Sequence, residues 1–406
     1  MTLDLTSSNA RGEKHPALLR GTTQSGIRLY NERLVLSLIR QHGQLPKAEV
    51  ARLTGLSAQT VSVIIRQLES DGLLKRRTPR RGKVGQPLVP FELDPDGAFS
   101  IGLKVGRRSV EMMLLDLTGE VKTSVSKTYR YPATTDVLEF VRNGLHELTA
   151  DLPRRDRICG LGIAAPFELW NWKEEVGAPH AVLEAWRDFD LRKEISALCE
   201  WPVHFCNDAT AACAAELFFG KGRMFRDFAY FYIGFFVGGG VVLNGSLHQG
   251  HTGYAGALGP MPVPSPKGTE QLIRHASLYV LERLLSADGK DPLWISHHRD
   301  SWAGAGKTLD RWIDETAASL AHAALSCVSV IDFEAVIIDG ALPAGVRAAL
   351  IAAVHRHFEK LDSRGTAPFA ILEGSIGHNA RAMGAASLPL FANFMIDRDV
   401  LFKETA

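Results

Sequence analysis

LPKAEVARLTGLSAQTVSVIIRQLESDGLL, residues 45–74, decides how the rest of the chain is read. It spells a helix, a turn at Gly55 and a second helix opening at Ser57. In the second helix Val61, Ile64, Ile65 and Leu68 recur at i, i+3, i+4 and i+7, which makes one apolar stripe. Ser57 is an N-cap residue, and Gly72 stands where a helix C-terminus wants a positive φ. With the stripe packed inward, Gln59, Thr60, Ser62 and Arg66 face outward, as base-edge readers do on a recognition helix. An ordinary helical hairpin with a polar outer face is the competing reading.

The flanking segments weigh against that hairpin. Behind Gly72 come Leu73-Leu74, the basic run KRRTPRRGKVGQP (75–87) and an apolar segment ending at Leu93. Strand, Gly/Pro-punctuated loop and strand make the wing of a winged helix. Lys75, Arg76, Arg77, Arg80, Arg81 and Lys83 would lie against phosphates or enter a minor groove. A basic loop alone is usually just solvated, but directly behind a helix-turn-helix it indicates DNA. A first helix over residues 26–43 packs behind the pair, and residues 1–25 read as a polar arm. Residues 1–94 carry 15 Lys/Arg against 8 Asp/Glu, while the remainder carries 31 against 37. The net charge of +1 therefore hides a basic N-terminal end suited to a polyanion.

At 406 residues the chain holds two or three domains. Its 46% hydrophobic and 22% charged content is that of a soluble globular protein. No apolar run is long enough to span a membrane, and the N-terminus lacks a secretory h-region, so a cytoplasmic location is expected. Cys159, Cys199, Cys206, Cys213 and Cys327 are scattered without CxxC spacing, which predicts reduced thiols rather than a disulfide framework or zinc knuckle.

Asp94-Pro95-Asp96-Gly97 marks a boundary. Beyond it strands are expected at 100–105, 110–117, 120–131, 158–164, 203–206, 228–233, 241–243, 335–338 and 370–374. Helices are expected at 135–150, after Asp208, at 271–285, at 309–333 and from Asn379. Strands alternating with helices in two blocks predict a two-lobed α/β body with a central cleft over 94–406.

Four passages in order, RRGKVGQPLVPFELDPDGAFSIGL (80–103), NDATAACAAE (207–216), GHTGYAGALGPMPV (250–263) and SIGHNARAMGAASLPLF (375–391), resemble the ROK family. The likeness runs from Gly26 to about Phe394. It implies a winged helix-turn-helix at 26–93 ahead of an actin-like, ribonuclease H-like sugar-kinase body, whose final helix returns to the first lobe. Members are sugar kinases and winged-helix repressors.

Phosphoryl transfer needs a phosphate cradle, a metal and a base on the acceptor hydroxyl. Where kinase members carry Asp-x-Gly-Gly-Thr, this chain reads Lys104-Val105-Gly106-Arg107-Arg108. Where they carry Gly-Thr-Gly-Ile-Gly, it reads Gly234-Phe235-Phe236-Val237-Gly238. A lysine stands where the family has a carboxylate near the metal, and arginines and phenylalanines stand where small residues would admit a nucleotide, so neither kinase activity nor a nucleotide cofactor is expected. The surviving Gly238, Gly239 and Gly240 fit a tight strand connection equally well.

On the sugar side, Asp208 matches the family's catalytic base and Asn207 its sugar-hydroxyl partner; either can also cap the following helix. The family's Glu-x-Gly-His segment reads Ala257-Leu258-Gly259-Pro260, and its cysteine-rich zinc loop reads PSPKGTEQLIRH (264–275), so no metal is expected. Trp170, Trp172, His180 and Trp186 lie close in sequence and are candidates for a sugar-stacking site, as is the loop residue His251. A cluster packing lobes or subunits together explains the aromatics equally well. GAGKT (304–308) lacks the leading glycine of a P-loop, since Ser301 stands there, and reads as a helix entry.

The expected function is a DNA-binding transcriptional regulator, a repressor of carbohydrate-related genes. Its partners would be an operator duplex, a sugar or sugar-derivative effector, and further copies of the chain in a dimer or tetramer. A bifunctional sugar kinase and a body that answers to a protein partner are the alternatives.

Overall fold

The computed structural model describes residues 24–79, 88–171, 173–291 and 293–396. The arm before Gln24 and the candidates Arg80, Arg81, Lys83 and Trp172 lie outside them. Helices α1 (Gln24–His42), α2 (Lys47–Thr54) and α3 (Ala58–Ser70) alternate with strand β1 (Leu45–Pro46) and lead into β2 (Leu74–Arg76) and β3 (Pro90–Leu93). The strands form a sheet in the order β1-β3-β2, with β1 a third member that two residues of sequence did not announce. Gly55 (φ 71°) closes α2 in the left-handed region, and Gly72 (φ 73°) serves the turn after α3. Val61, Ile64, Ile65 and Leu68 are buried as their spacing demands, against Val35, Leu36, Ile39, Val50 and Phe91.

The body is a duplication. In the first lobe β4 (Phe99–Val105), β5 (Ser109–Asp116) and β6 (Val121–Thr128) form a meander, helix α4 (Thr134–Thr149) crosses over, and β7 (Ile158–Ala164) joins β4 in parallel. Short helices α5 (Lys173–Val176), α6 (His180–Glu184) and α7 (Leu191–Ser196) precede β8 (Val203–Cys206), which pairs with β7. Helix α8 (Asp208–Phe219) leads to the second lobe. There β9 (Phe228–Ile233), β10 (Val237–Leu243) and β11 (Ser246–His248) repeat the meander.

A hairpin, β12 (Pro262–Ser265) and β13 (Gly268–Gln271), replaces the zinc loop of the family pattern. Gln271 closes that hairpin and Leu272–Arg274 form a 3-10 turn, so α9 runs only from Leu278 to Ala287, later than the expected start at 271. Then come α10 (Trp294–His297), α11 (Gly306–Val330), β14 (Ala335–Gly340), α12 (Ala344–Phe358), β15 (Ala370–Glu373) and α13 (Ala380–Phe394). Lobe one orders its strands β6-β5-β4-β7-β8 and lobe two β11-β10-β9-β14-β15, the same topology twice.

The two helices that follow the last strand of each repeat, α8 and α13, pack on one another at the centre. Contact is so close that side chains are excluded. A Cβ on Gly384 would lie 1.7 Å from the Ala211 carbonyl oxygen, and one on Gly162 would lie 1.8 Å from that of Ala385. Gly238 and Gly240 sit within β10, not in a turn. They are glycines because a Cβ there would meet Ala209 or Cys213 of α8 at 2.8 or 2.4 Å.

Gly384→Ala is therefore expected to destabilise the fold by about 1–3 kcal/mol or more, as overpacking does. Gly345→Ala in α12, where a Cβ meets nothing within 4 Å, should be neutral or stabilising by up to about 1 kcal/mol. Paired thermal melts check both.

Candidate functional site

The candidate DNA face is built on α3. Ser57 caps the helix, its Oγ accepting from the Thr60 N–H at 3.1 Å and hydrogen-bonding the Thr60 hydroxyl at 2.8 Å. Gln59 and Arg66 are exposed, Thr60 and Ser62 half-buried, and Arg66 Nε donates to the Ser62 carbonyl at 3.2 Å. Val63, passed over in the sequence reading, stands 53% exposed beside them. It breaks the apolar stripe, and a bare methyl pair on this face suits a thymine methyl group. The acids of the wing also went unread: Glu69 holds Arg76 at 2.5 Å, Glu92 holds Arg77 at 2.5 Å, and Lys75 lies 3.7 Å from both Glu92 and Asp94. Pairs this exposed are worth under about 1 kcal/mol, so a phosphate can compete for the guanidiniums.

The winged helix does not hang on a free linker. Ala98, Leu117 and Leu390 of the body belong to its hydrophobic core. Arg33 of α1 donates to the carbonyls of Ala392 (2.7 Å) and Met395 (3.4 Å) at the end of α13, and Arg40 donates to Leu117 O at 2.6 Å. Arg157 of the first lobe donates to Asp71 O, just past α3, at 2.7 Å.

At its other end α13 enters the cleft between the lobes, where Arg381 reaches Asp208 at 3.1 Å and lies over the Tyr232 ring. The two turns corresponding to kinase phosphate cradles face each other here. Arg107 sits 4.5 Å from the centre of the Phe236 ring, and Arg108 sits 4.6 Å from that of Phe235. The four side chains occupy the space between the turns, and Arg108 also pairs with Glu282 of α9 at 3.1 Å, tying lobe to lobe. Lys104, at the family's carboxylate position, is buried and bound to Glu111 at 3.2 Å and to Ser109. Burial draws Lys104 down to about 8 against the pull of Glu111. Burial also works against the Glu111 carboxylate, but Lys104 and Arg381 hold it near 2.

A cavity of about 260 Å³ opens beside Asp208, enough for one sugar ring. Asn207, Asp208, Tyr232, Arg107 and Arg381 line it, with Phe167 and Tyr254 at 5.0 Å between ring centres. Asn207 caps α8, its Oδ1 accepting from the Ala209 N–H at 3.0 Å.

Of the other sequence candidates, none described lines the cavity. Trp186 is core: it is 4% exposed, donates to Pro132 O at 2.9 Å and packs on Phe189. Trp170 packs partly buried against the same first-lobe core, while His180, near Glu184, and His251 face solvent. The aromatic wall comes instead from Phe167, Tyr232 and Tyr254, which no local cluster in the sequence announces.

These parts define a winged-helix protein with a duplicated, kinase-like body. The ROK family pattern matches residues 100–273, and a winged helix-turn-helix DNA-binding pattern matches residues 28–75. The chain is 26% identical over 372 residues to the uncharacterized protein y4fQ of Sinorhizobium fredii, covering 90% of this chain and 91% of that one. It is 26% identical over 247 residues to the xylose repressor of Bacillus subtilis, covering 59% of this chain and 62% of that one, less than two thirds of the repressor.

Among solved structures, a ROK family transcriptional regulator, homolog of the E. coli MLC protein, superposes with a TM-score of 0.64 at 20% identity, covering 93% of this chain and 99% of that one. A ROK family glucokinase from Streptomyces griseus matches with a TM-score of 0.57 at 20% identity, covering 72% of this chain and 99% of that one. The chain thus carries a ROK family domain behind an N-terminal winged helix-turn-helix domain.

Glu111→Gln would leave Lys104 buried without its counter-charge, at a cost of about 3 kcal/mol near neutral pH. A carboxylate depressed to about 2 stabilises the fold above its unfolded value near 4.5 and loses that contribution as pH falls towards 2. Melting temperatures between pH 2 and 6 should show this acid loss in the parent and a shallower one in the variant.

Proposed function

We propose that this chain is a sugar-responsive transcriptional repressor whose kinase-like body reports on the cleft instead of transferring phosphate. One observation carries the reading: α13 bears Arg381 against Asp208 at one end and Ala392 and Leu390 against the winged helix at the other. A ligand that repositions Arg381 acts on the seat of α1, and α3 packs against α1 in the same core. The xylose repressors among its relatives support the direction of control.

The arginines and phenylalanines between the two turns argue against nucleotide entry, since a phosphate cradle needs backbone N–H groups within reach. The retained Asp208 favours the second reading, a sugar kinase that also binds DNA. Nucleotide-dependent phosphorylation of a hexose, abolished by Asp208→Asn, would establish that instead. A pair of recognition helices reading a two-fold operator makes an even oligomer the expected form.

Gel shifts with DNA from upstream of the chain's own gene test the regulator reading, and no shift at low or moderate salt contradicts it. Arg66→Ala and Gln59→Ala should each cost about 1–3 kcal/mol of specific affinity. Affinity should also fall steeply as salt rises, because the wing neutralises phosphates.

A further inference from the structure

Two guanidiniums, Arg107 and Arg381, and two carboxylates, Asp208 and Glu168, line the cavity, and Asp208 pairs with Arg381. Arg381 has Asp208 at 3.1 Å, just as Lys104 has Glu111 and Arg108 has Glu282 nearby. Arg107 differs. Among the described residues no carboxylate forms an ion pair with it, and its buried Nε makes no hydrogen bond. Its guanidinium lies against the Phe236 ring, and the residue lines the cavity. The Tyr232 hydroxyl and Arg381 Nε, which belong to the same lining, are also buried without a partner. Buried polar atoms of this kind ordinarily have partners, and here three belong to residues that line one cavity.

We propose that the cleft takes a sugar acid: a monosaccharide whose carboxylate pairs with Arg107, its hydroxyls reaching Asp208 and its ring lying by Phe167 and Tyr254. This rests on the reading of the cleft as an effector site and names the chemical class of the effector. A guanidinium matches a planar carboxylate through two parallel hydrogen bonds. Among the described residues Arg107 is the lining guanidinium without an ion-pair partner, and with Asp208 and Glu168 already in the lining a monoanion suits it better than a dianion. A phosphate monoester, at about −1.5 to −2 near neutral pH, would set surplus negative charge beside Asp208. Burial pulls the Arg107 guanidinium down to about 10 despite Asp208, and an anion beside it would favour its charged form.

Calorimetric titration of the full chain with glucuronate, galacturonate and gluconate, beside the neutral parent hexoses, the methyl ester of glucuronate and hexose 6-phosphates, tests the assignment. At least one acid should bind tenfold or more tighter than its neutral counterparts. Arg107→Met should erase that preference, and Arg107→Lys should keep part of it. The comparison of acid with ester uses the unaltered protein, so it stands even if a variant folds poorly. Equal binding of acid and neutral forms, preference for the 6-phosphates, binding by none of the acids, or an unchanged preference in Arg107→Met would each overturn the proposal. Operator binding measured in parallel separates the two readings. A protein that shifts operator DNA but prefers no acid loses only this inference, whereas one that shifts no DNA loses the regulator reading first.

Discussion

Everything in this molecule turns on the closeness of α13 to its neighbours. Gly102 in β4, Gly162 in β7 and Gly384 in α13 itself leave no room for a single extra carbon against the Ala382, Ala385 and Ala211 backbones. Packing at that distance makes α13, α8 and the first-lobe sheet one stiff block, because close-packed interiors transmit displacement instead of absorbing it. The same helix supplies a cleft residue at its first turn and a contact with the winged helix near its last. A sequence that merely needed a lid over a sheet would not require glycine on both sides of the contact.

The duplication explains how two equivalent turns come to face each other across the cleft. The β4–β5 and β9–β10 turns occupy equivalent places in the two repeats and meet across the cleft. One contributes Arg107 and Arg108, the other Phe235 and Phe236, so the repeats close on each other through two cation–π contacts and the Arg108–Glu282 pair. Partly desolvated contacts of that type are worth about 1–2 kcal/mol each.

Much of this was legible in the residues. The stripe Val61-Ile64-Ile65-Leu68, the cap at Ser57 and the glycines at 55 and 72 are local signals, and local signals fix local structure. Most strands of the body were readable for the same reason. What stayed hidden was set by partners distant in sequence. Trp186 looked like a pocket aromatic until β7, α7 and Pro132 enclosed it. Arg381 looked like one more helix charge, although it answers Asp208 from 173 positions away. The glycines of β10 read as a turn because nothing nearby in the sequence shows that α8 lies on top of them. Glu69 and Glu92, which temper the wing's charge, were visible but lay outside the basic run that drew the reading.

The central claim is that cleft and DNA reader are one coupled unit. It is tested most directly by operator affinity in Arg381→Met, a substitution inside the cleft, measured by fluorescence anisotropy alongside a thermal melt. Coupled sites typically shift one another's affinity about fivefold or more. The account predicts a change of at least that size, in either direction, in a protein that remains folded. An Arg381→Met protein that melts cooperatively and binds operator with unchanged affinity would contradict it.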